Sequence, residues 1–184
     1  EYPEGTTALE IAKSISEGLA RNVLAAKVNG EVRDAQRPIT ADADLALLTW
    51  ENPEGKATLW HSSAHLMAEA IESFYPGTKF GIGPPIENGF YYDFSYARPF
   101  TPEDLAAIEK RMGELAKKDI PVIRKVMARN EAVAYFKGIG EHYKAEIIAS
   151  IPAEQDVSLY TEGDFTDLCR GPHVQRADQI GAVK

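Results

Sequence analysis

The chain has 184 residues, of which 44% are hydrophobic and 26% are charged, a composition typical of one ordinary globular domain or two small ones. Its net charge of −8 argues against a general nucleic-acid binder, because such proteins take most of their affinity from Lys and Arg on phosphates. The charge does not exclude a site that handles only the tip of an RNA. No segment approaches the roughly 18 consecutive apolar residues of a membrane helix, so no membrane association is predicted.

Two further features of the sequence bear on the cellular compartment of the protein. The single cysteine cannot form an internal disulfide, so a reducing, cytoplasmic setting is the expectation. The first residues lack the basic region and the apolar core of a signal peptide. They also lack an initiator Met, which we interpret as a trimmed start.

Residues 1–51 predict a small β-grasp domain. Thr6 or Thr7 is expected to cap a helix whose apolar residues follow near-helical spacing, namely Leu9, Ile11, Ile15 and Leu19. Residues 25–28 and 31–33 flank Asn29-Gly30, a strong hairpin signal, and residues 45–50 predict another strand. A β-grasp domain normally opens with a hairpin before its helix, and that hairpin would be truncated here. We place the boundary at the turn-rich residues 52–55.

Residues 52–184 predict an α+β domain of two layers, with long helices on a mostly antiparallel sheet. A helix over residues 58–75 would end at Pro76-Gly77, with its buried stripe at Met67, Ala70, Ile71 and Phe74. A stiff loop, residues 83–89, would join two strands over residues 79–82 and 90–94. Further helices are expected at 102–118, 130–137 and 142–149, and further strands at 121–127, 157–160 and 180–183.

Three of the four histidines and the only cysteine occur in two pairs, His61 with His65 and Cys169 with His173. On a helix, residues four apart share one face, so His61 and His65 would point the same way. Gly171-Pro172 forbids a regular helix between Cys169 and His173, so that pair must lie on a tight loop. The four side chains can form a tetrahedral metal site, or a metal-free site whose imidazoles deprotonate a water. The alternative is that they are unconnected residues of the core or surface.

Other residues give weaker signals. Asp167 can orient a histidine or bind an ammonium, against the alternative of a solvated loop acid. Lys144 is by default an ordinary surface lysine, and Tyr92 would face away from its two neighbours along a strand. His142 has no partner at motif spacing and is expected to be structural or exposed.

Three blocks resemble the editing domain of bacterial threonyl-tRNA synthetases, in residues, order and interval. They are residues 61–66 (HSSAHL), 83–93 (GPPIENGFYYD) and 167–173 (DLCRGPH). Residues 2–49 resemble the small TGS domain, a β-grasp module, that precedes it in that family. The first and last blocks are shared with alanyl-tRNA synthetase editing domains, whereas the middle block and the TGS-like segment favour the threonyl family.

The resemblance implies hydrolysis of mischarged seryl-tRNA(Thr), with the catalytic and anticodon-binding domains lying beyond this chain. A threonine pocket cannot strongly reject serine, since one methyl group is worth only about 1–3 kcal/mol. A second, hydrolytic pocket can remove serine and exclude threonine sterically, which is double-sieve editing. The partners implied are the acceptor end of tRNA(Thr) carrying serine and the rest of the synthetase, without a membrane.

The resemblance also implies residue roles. The hydrolytic cleft would be lined by His61, His65, Cys169 and His173, while Lys144, Asp167 and Tyr92 would contact substrate or assist the reaction. His61 is the best candidate to activate water, and His173 to help protonate the leaving ribose oxygen. The alanyl relatives bind zinc with matching residues, but we expect no obligatory metal here. Two alternatives stay open, a zinc-dependent domain of alanyl type and a tRNA-binding module without chemistry.

Overall fold

The computed structural model describes residues 1–181. Its first helix, α1 (Ala8–Ile15), is capped by Thr7, one of the two residues that the sequence predicts for this role, and Glu10 completes a capping box. The predicted single helix is wrong beyond this point, because Ser16 ends α1 and caps a second helix, α2 (Glu17–Asn22). The buried residues of both helices are alanines rather than the larger apolar residues of the predicted stripe, and Ile15 is exposed.

The helix pair packs near a three-stranded antiparallel sheet of β1 (Ala25–Val28), β2 (Glu31–Arg33) and β3 (Leu45–Leu48), in the order β2-β1-β3. The predicted Asn-Gly hairpin is confirmed, because Asn29 and Gly30 both have positive φ, as a tight hairpin turn requires. These elements, α1 through β3, are called the N-terminal module below. They form the β-grasp arrangement that the sequence predicts.

The helix that carries the first histidine pair is α3 (Pro53–Phe74), and it begins five residues earlier than predicted. The turn expected at residues 52–55 is wrong, because Pro53 occupies the first helical turn, where its missing N–H costs nothing. Gly55 lies in that turn because a Cβ there would come within 2.0 Å of the Thr49 carbonyl oxygen. The predicted stripe is also wrong at its end, since Phe74 is 48% exposed.

Residues 79–95 form two short hairpins instead of two strands joined by a loop. The outer pair is β4 (Lys79–Phe80) with β7 (Phe94–Ser95), and the inner pair is β5 (Pro85–Ile86) with β6 (Gly89–Phe90). The supposed loop of residues 83–89 therefore contains one strand and the start of another, and the predicted strand over residues 90–94 is interrupted at its centre.

A second three-stranded antiparallel sheet has the order β10-β9-β8, from β8 (Val122–Met127), β9 (Val157–Glu162) and β10 (Phe165–Leu168). The remaining helices are α4 (Pro102–Leu115), α5 (Arg129–Gly138), α6 (His142–Ala149) and a 3₁₀ turn at Ala177–Gln179. Strand β10 was not predicted. The strand expected at residues 180–183 lies partly outside the described residues, and Ile180 directly follows the 3₁₀ turn.

Helix α3 lies at the centre of the largest hydrophobic cluster, packed against α4 and against residues of β10. Smaller clusters lie inside the N-terminal module and between α5, α6 and β9. The pattern of helices on small antiparallel sheets confirms the predicted α+β class. Among residues 1–181, no helix is long and apolar enough to cross a membrane.

Candidate active site

The two histidine and cysteine pairs meet between α3 and the loop that follows β10. One ligand atom from each of His61, His65, Cys169 and His173 lies within 4.8 Å of the others. The His173 ring is 4.2 Å from the rings of both His61 and His65, measured between centroids. The α3 spacing and the bend at Gly171-Pro172 thus bring the four side chains to one point, as their paired spacing predicts.

The hydrogen bonds of His61 define which nitrogen carries its proton. Its Nδ1 lies 3.2 Å from the Pro172 carbonyl oxygen, which can only accept, so Nδ1 is the protonated atom of the neutral ring. Nε2 then has a free lone pair, 3.3 Å from the Cys169 sulfur. His61 is the least buried of these three imidazoles.

His173 is held in the same tautomer by Ser62, which sequence reasoning overlooked. The Ser62 hydroxyl donates its one proton to the Thr58 carbonyl, so it accepts from His173 Nδ1 at 3.1 Å. It also accepts from the Val174 backbone N–H at 3.0 Å. His173 Nε2 is consequently unprotonated and faces the Cys169 sulfur at 3.2 Å. The sequence signal for Ser62 was its position between the two helical histidines.

Burial keeps these groups neutral. It lowers the pKa of His65 to about 4, and that of His173 well below its usual value of 6.5, because both rings are removed from water. The pKa of His61 is also lowered by burial, an effect opposed by its hydrogen bond to the Pro172 carbonyl. At neutral pH the site therefore offers uncharged imidazoles that can accept a proton.

Burial raises the pKa of the Cys169 thiol to about 12, although the Gly171 N–H hydrogen bond to its sulfur opposes the rise. The thiol is therefore protonated at neutral pH without a metal, and it is a poor nucleophile because attack requires the thiolate. A positioning role fits this state better than attack on an ester.

A second group of polar side chains lies next to the imidazoles. Asp167, on β10, binds the Lys144 ammonium with one carboxylate oxygen and the Tyr92 hydroxyl with the other. His65 Nε2 lies 3.5 Å from the oxygen that Tyr92 binds. Since His65 is neutral at pH 7, this is a long polar contact and not an ion pair.

The default expectations for Asp167 and Lys144 are wrong. Asp167 is 3% exposed and Lys144 is 2% exposed, so neither is a solvated surface residue. Tyr92 is buried while its neighbours Tyr91 and Asp93 are exposed, as the predicted alternation requires. Burial and the adjacent Asp167 carboxylate both raise the pKa of Tyr92, so its hydroxyl keeps its proton. His142 is exposed, in agreement with its lack of a motif partner.

The donor set fits a zinc ion. Two imidazole Nε2 atoms with free lone pairs lie 3.2–3.3 Å from the thiol sulfur, close to the separation between ligands of a tetrahedral zinc. The residues that would hold it are His61, His65, Cys169 and His173. A bound ion would deprotonate the thiol and supply Lewis acidity. Without an ion, the single thiol proton of Cys169 can be donated to only one of these two imidazole nitrogens at a time.

A cleft of about 650 Å³ leads from the surface to Cys169. Its wall includes three arginines, Arg37, Arg124 and Arg170, together with two acidic residues, Glu31 and Asp156. The cleft therefore has a small excess of positive charge on a chain whose net charge is −8. It offers an anionic ligand a route to the thiol side of the cluster.

Comparison with known proteins agrees with this geometry. Residues 1–49 match the TGS domain family, and residues 157–184 match the family described as the threonyl and alanyl tRNA synthetase second additional domain. The whole chain is 59% identical to part of a threonine–tRNA ligase from Janthinobacterium sp. (strain Marseille) and 60% identical to part of one from Acidovorax sp. (strain JS42). A third, from Nitrosomonas eutropha, is 55% identical over the same 184 residues.

The chain is similar over its whole length to the N-terminal region of bacterial threonine–tRNA ligases. It spans 29% of the length of these relatives. The match to the second additional domain includes β9, β10 and the loop with Cys169 and His173. The first histidine pair and the Lys144 helix lie outside the two matched segments, and were found from residue spacing and family resemblance.

Proposed function

We propose that this chain is the editing region of a threonyl-tRNA synthetase and hydrolyses the ester bond of mischarged seryl-tRNA(Thr). The observation that carries the proposal is the convergence of three neutral imidazoles and a protonated thiol beside a buried Lys144-Asp167-Tyr92 group. Neutral imidazoles can take a proton from water, and a positioned general base contributes about 10²–10⁴-fold to a rate.

In the proposed reaction, His61 Nε2 accepts a proton from a water whose oxygen attacks the seryl carbonyl carbon. The bond between that carbon and the ribose oxygen then breaks. The ribose oxygen takes up the proton that His61 accepted from the water, passed on by way of His173 Nε2, so that serine and a free ribose hydroxyl result and both imidazoles are neutral again. His61 is favoured as the base because its pKa is the least depressed, and an efficient base has a pKa near the working pH.

The Lys144-Asp167-Tyr92 group would stabilise charge and orient the serine. The ammonium of Lys144 is suited to stabilising the oxyanion that forms at the carbonyl, because charge stabilisation is strong where water is excluded. Asp167 has unused lone pairs beside its two present partners, and these can accept the serine ammonium or hydroxyl. Threonine would be excluded because its extra methyl group meets this tightly packed wall.

The proposal includes a domain division and partners. We propose a TGS-like β-grasp domain over residues 1–51 and an editing domain over residues 52–184. The acceptor end of tRNA(Thr) would enter through the cleft of about 650 Å³, where Arg37, Arg124 and Arg170 can meet phosphates. The catalytic and anticodon-binding domains of the synthetase would supply most other tRNA contacts.

Two alternatives make different predictions. A zinc-dependent domain of alanyl type is favoured by the donor set of the cluster, and metal analysis separates it from a metal-free site. A tRNA-binding module without chemistry would need no convergent bases, and would leave seryl-tRNA intact. The geometry favours the hydrolase because three proton acceptors at one point have no role in simple binding.

The test is hydrolysis of seryl-tRNA(Thr) by the 184-residue chain and two matched variants, His61→Ala and His142→Ala. Loss of the base should reduce the rate about 10²–10⁴-fold, whereas removing the exposed histidine should leave it unchanged. The fold should still tolerate His61→Ala, because His61 is half-buried and Ala favours a helix.

A thermal melt of each variant is the control for folding. An unchanged rate in a folded His61→Ala variant would remove His61 from the mechanism. Absence of seryl-tRNA hydrolysis by the wild-type chain, with tRNA binding retained, would favour the binding module.

A further inference from the structure

Asp34 belongs to the N-terminal module, but its carboxylate lies in the interior of the active-site region. The residue follows β2 and is only 9% exposed. One oxygen accepts a hydrogen bond from the Tyr160 hydroxyl at 2.8 Å, and the other accepts from the His173 backbone N–H at 2.9 Å. Both partners are more than 120 residues away along the chain. The nearest cation is Arg124, whose Nε lies 3.9 Å from the carboxylate.

These two hydrogen bonds hold the parts of the structure that set the position of the His173 imidazole. The Tyr160 ring lies 4.5 Å from the His173 ring, measured between centroids, and packs against it. The Tyr160 hydroxyl also lies beneath Gly171, where an added Cβ would come within 2.1 Å of it. The loop backbone and the supporting ring are therefore fixed by the same carboxylate.

The other contacts of His173 do not hold its backbone N–H. Ser62 determines the tautomer by accepting from Nδ1, and it also holds the Val174 N–H. Neither contact restrains the His173 backbone N–H, which is buried and needs an acceptor. Asp34 supplies that acceptor with a charged group, and hydrogen bonds to charged groups are roughly twice as strong as neutral ones.

We propose that Asp34 is a positioning residue, through which the N-terminal module completes the hydrolytic site of the following domain. It touches neither water nor ester, and acts by holding the His173 backbone and the Tyr160 ring. The expected effect of Asp34 on the hydrolysis rate rests on the proposed function, whereas its expected effect on the position of the His173 backbone does not. Residues 52–184 alone would lack this acceptor, and their loop of residues 169–173 would lose its fixed position.

The test compares Asp34→Ala and Asp34→Asn in the 184-residue chain, with Asp42→Ala as a matched control at an exposed acid of the same module. Displacement of a catalytic group by about 1 Å can cost about 10²-fold, so Asp34→Ala should lower kcat about 10- to 100-fold with little change in KM. Asp34→Asn should recover most of kcat, because its amide oxygen still accepts from the His173 N–H. Asp42→Ala should behave as wild type.

Amide NMR spectra provide a readout that does not depend on activity. Asp34→Ala should shift the His173 amide resonance upfield, as loss of a hydrogen bond to that N–H requires, while Asp34→Asn should restore most of the shift. If Asp34→Ala shows wild-type kcat and a wild-type His173 amide, the inference is wrong. Equal loss of kcat in the Ala and Asn variants, with both folded, would also overturn it.

The two hypotheses fail in distinguishable ways. If the wild-type chain hydrolyses no seryl-tRNA, the proposed function fails, and the amide shifts alone decide the role of Asp34. If the Ala variant does not fold, the folded Asn variant decides: a retained His173 amide position with near wild-type kcat supports the inference, and a displaced amide contradicts it.

Discussion

Replacing Lys144 with Met tests how strongly the buried ion pair between Lys144 and Asp167 stabilises the fold. The ammonium binds Asp167, and the two residues are 2% and 3% exposed. Removing one partner of a buried pair typically costs 3–5 kcal/mol, because the other charge is left uncompensated. Tyr92 still donates to Asp167 in the variant, so we expect a loss at the lower end, about 3 kcal/mol in the free energy of unfolding.

The Met side chain should itself be tolerated. The Lys144 Nζ already lies 5.7 Å and 6.0 Å from the ring centroids of Phe165 and Phe80, an apolar environment that suits a flexible thioether. The measured loss would then report the uncompensated charge and not a steric clash. Combining Lys144→Met with Asp167→Asn removes that charge, so the double variant should lose less stability than the sum of the two single variants.

The assay is urea unfolding followed by circular dichroism, with Lys137→Met as a control at an exposed lysine of α5. The control should change the free energy of unfolding by less than about 0.5 kcal/mol. A loss below about 1 kcal/mol for Lys144→Met, or additive effects in the double variant, would refute the interpretation of a buried, coupled pair.

Two further predictions concern pH and metal. Burial raises the pKa of Glu162 to about 8, so its contribution to stability is complete below the ordinary value of 4.5 and is lost as the pH rises towards 8. The free energy of unfolding should therefore be measured for wild type and Glu162→Gln between pH 5 and pH 8. The variant should become more stable relative to wild type by about 2 to 4 kcal/mol as the pH rises. The same dependence of stability on pH in both proteins would contradict this prediction. Exhaustive chelation should leave seryl-tRNA hydrolysis intact, and a loss that zinc restores would establish a metal requirement.

Local sequence signals predicted the parts of the fold that depend on few residues. The helix cap at Thr7 and the Asn29-Gly30 turn appear as expected, because each depends on contacts within a short segment. The start of α3 was misjudged for a tertiary reason. Pro53 and Gly55 are typical of a turn, but here Gly55 permits close packing of the first helical turn on Thr49.

The residues of the candidate site likewise include some that local sequence signals indicated and some that they could not. Spacing indicated that His61 lies beside His65 and that Cys169 lies beside His173, because a helix and a bent loop each present two side chains to one side. The family resemblance added the expectation that the two pairs line one cleft, and in the structure they meet. Spacing could not reveal Asp34, whose partners lie in elements far along the chain. The burial of Lys144 could not be predicted either, because it depends on contacts with Asp167 and Phe165 of β10, a strand that the sequence did not disclose.

The most direct test of the account compares hydrolysis of seryl-tRNA(Thr) and threonyl-tRNA(Thr) by the same 184-residue chain under the same conditions. The double sieve predicts rapid release of serine and little release of threonine, because the extra methyl group keeps threonine out of the site. Equal rates for the two substrates would contradict the proposed editing function, even if the chain proved to be an active esterase.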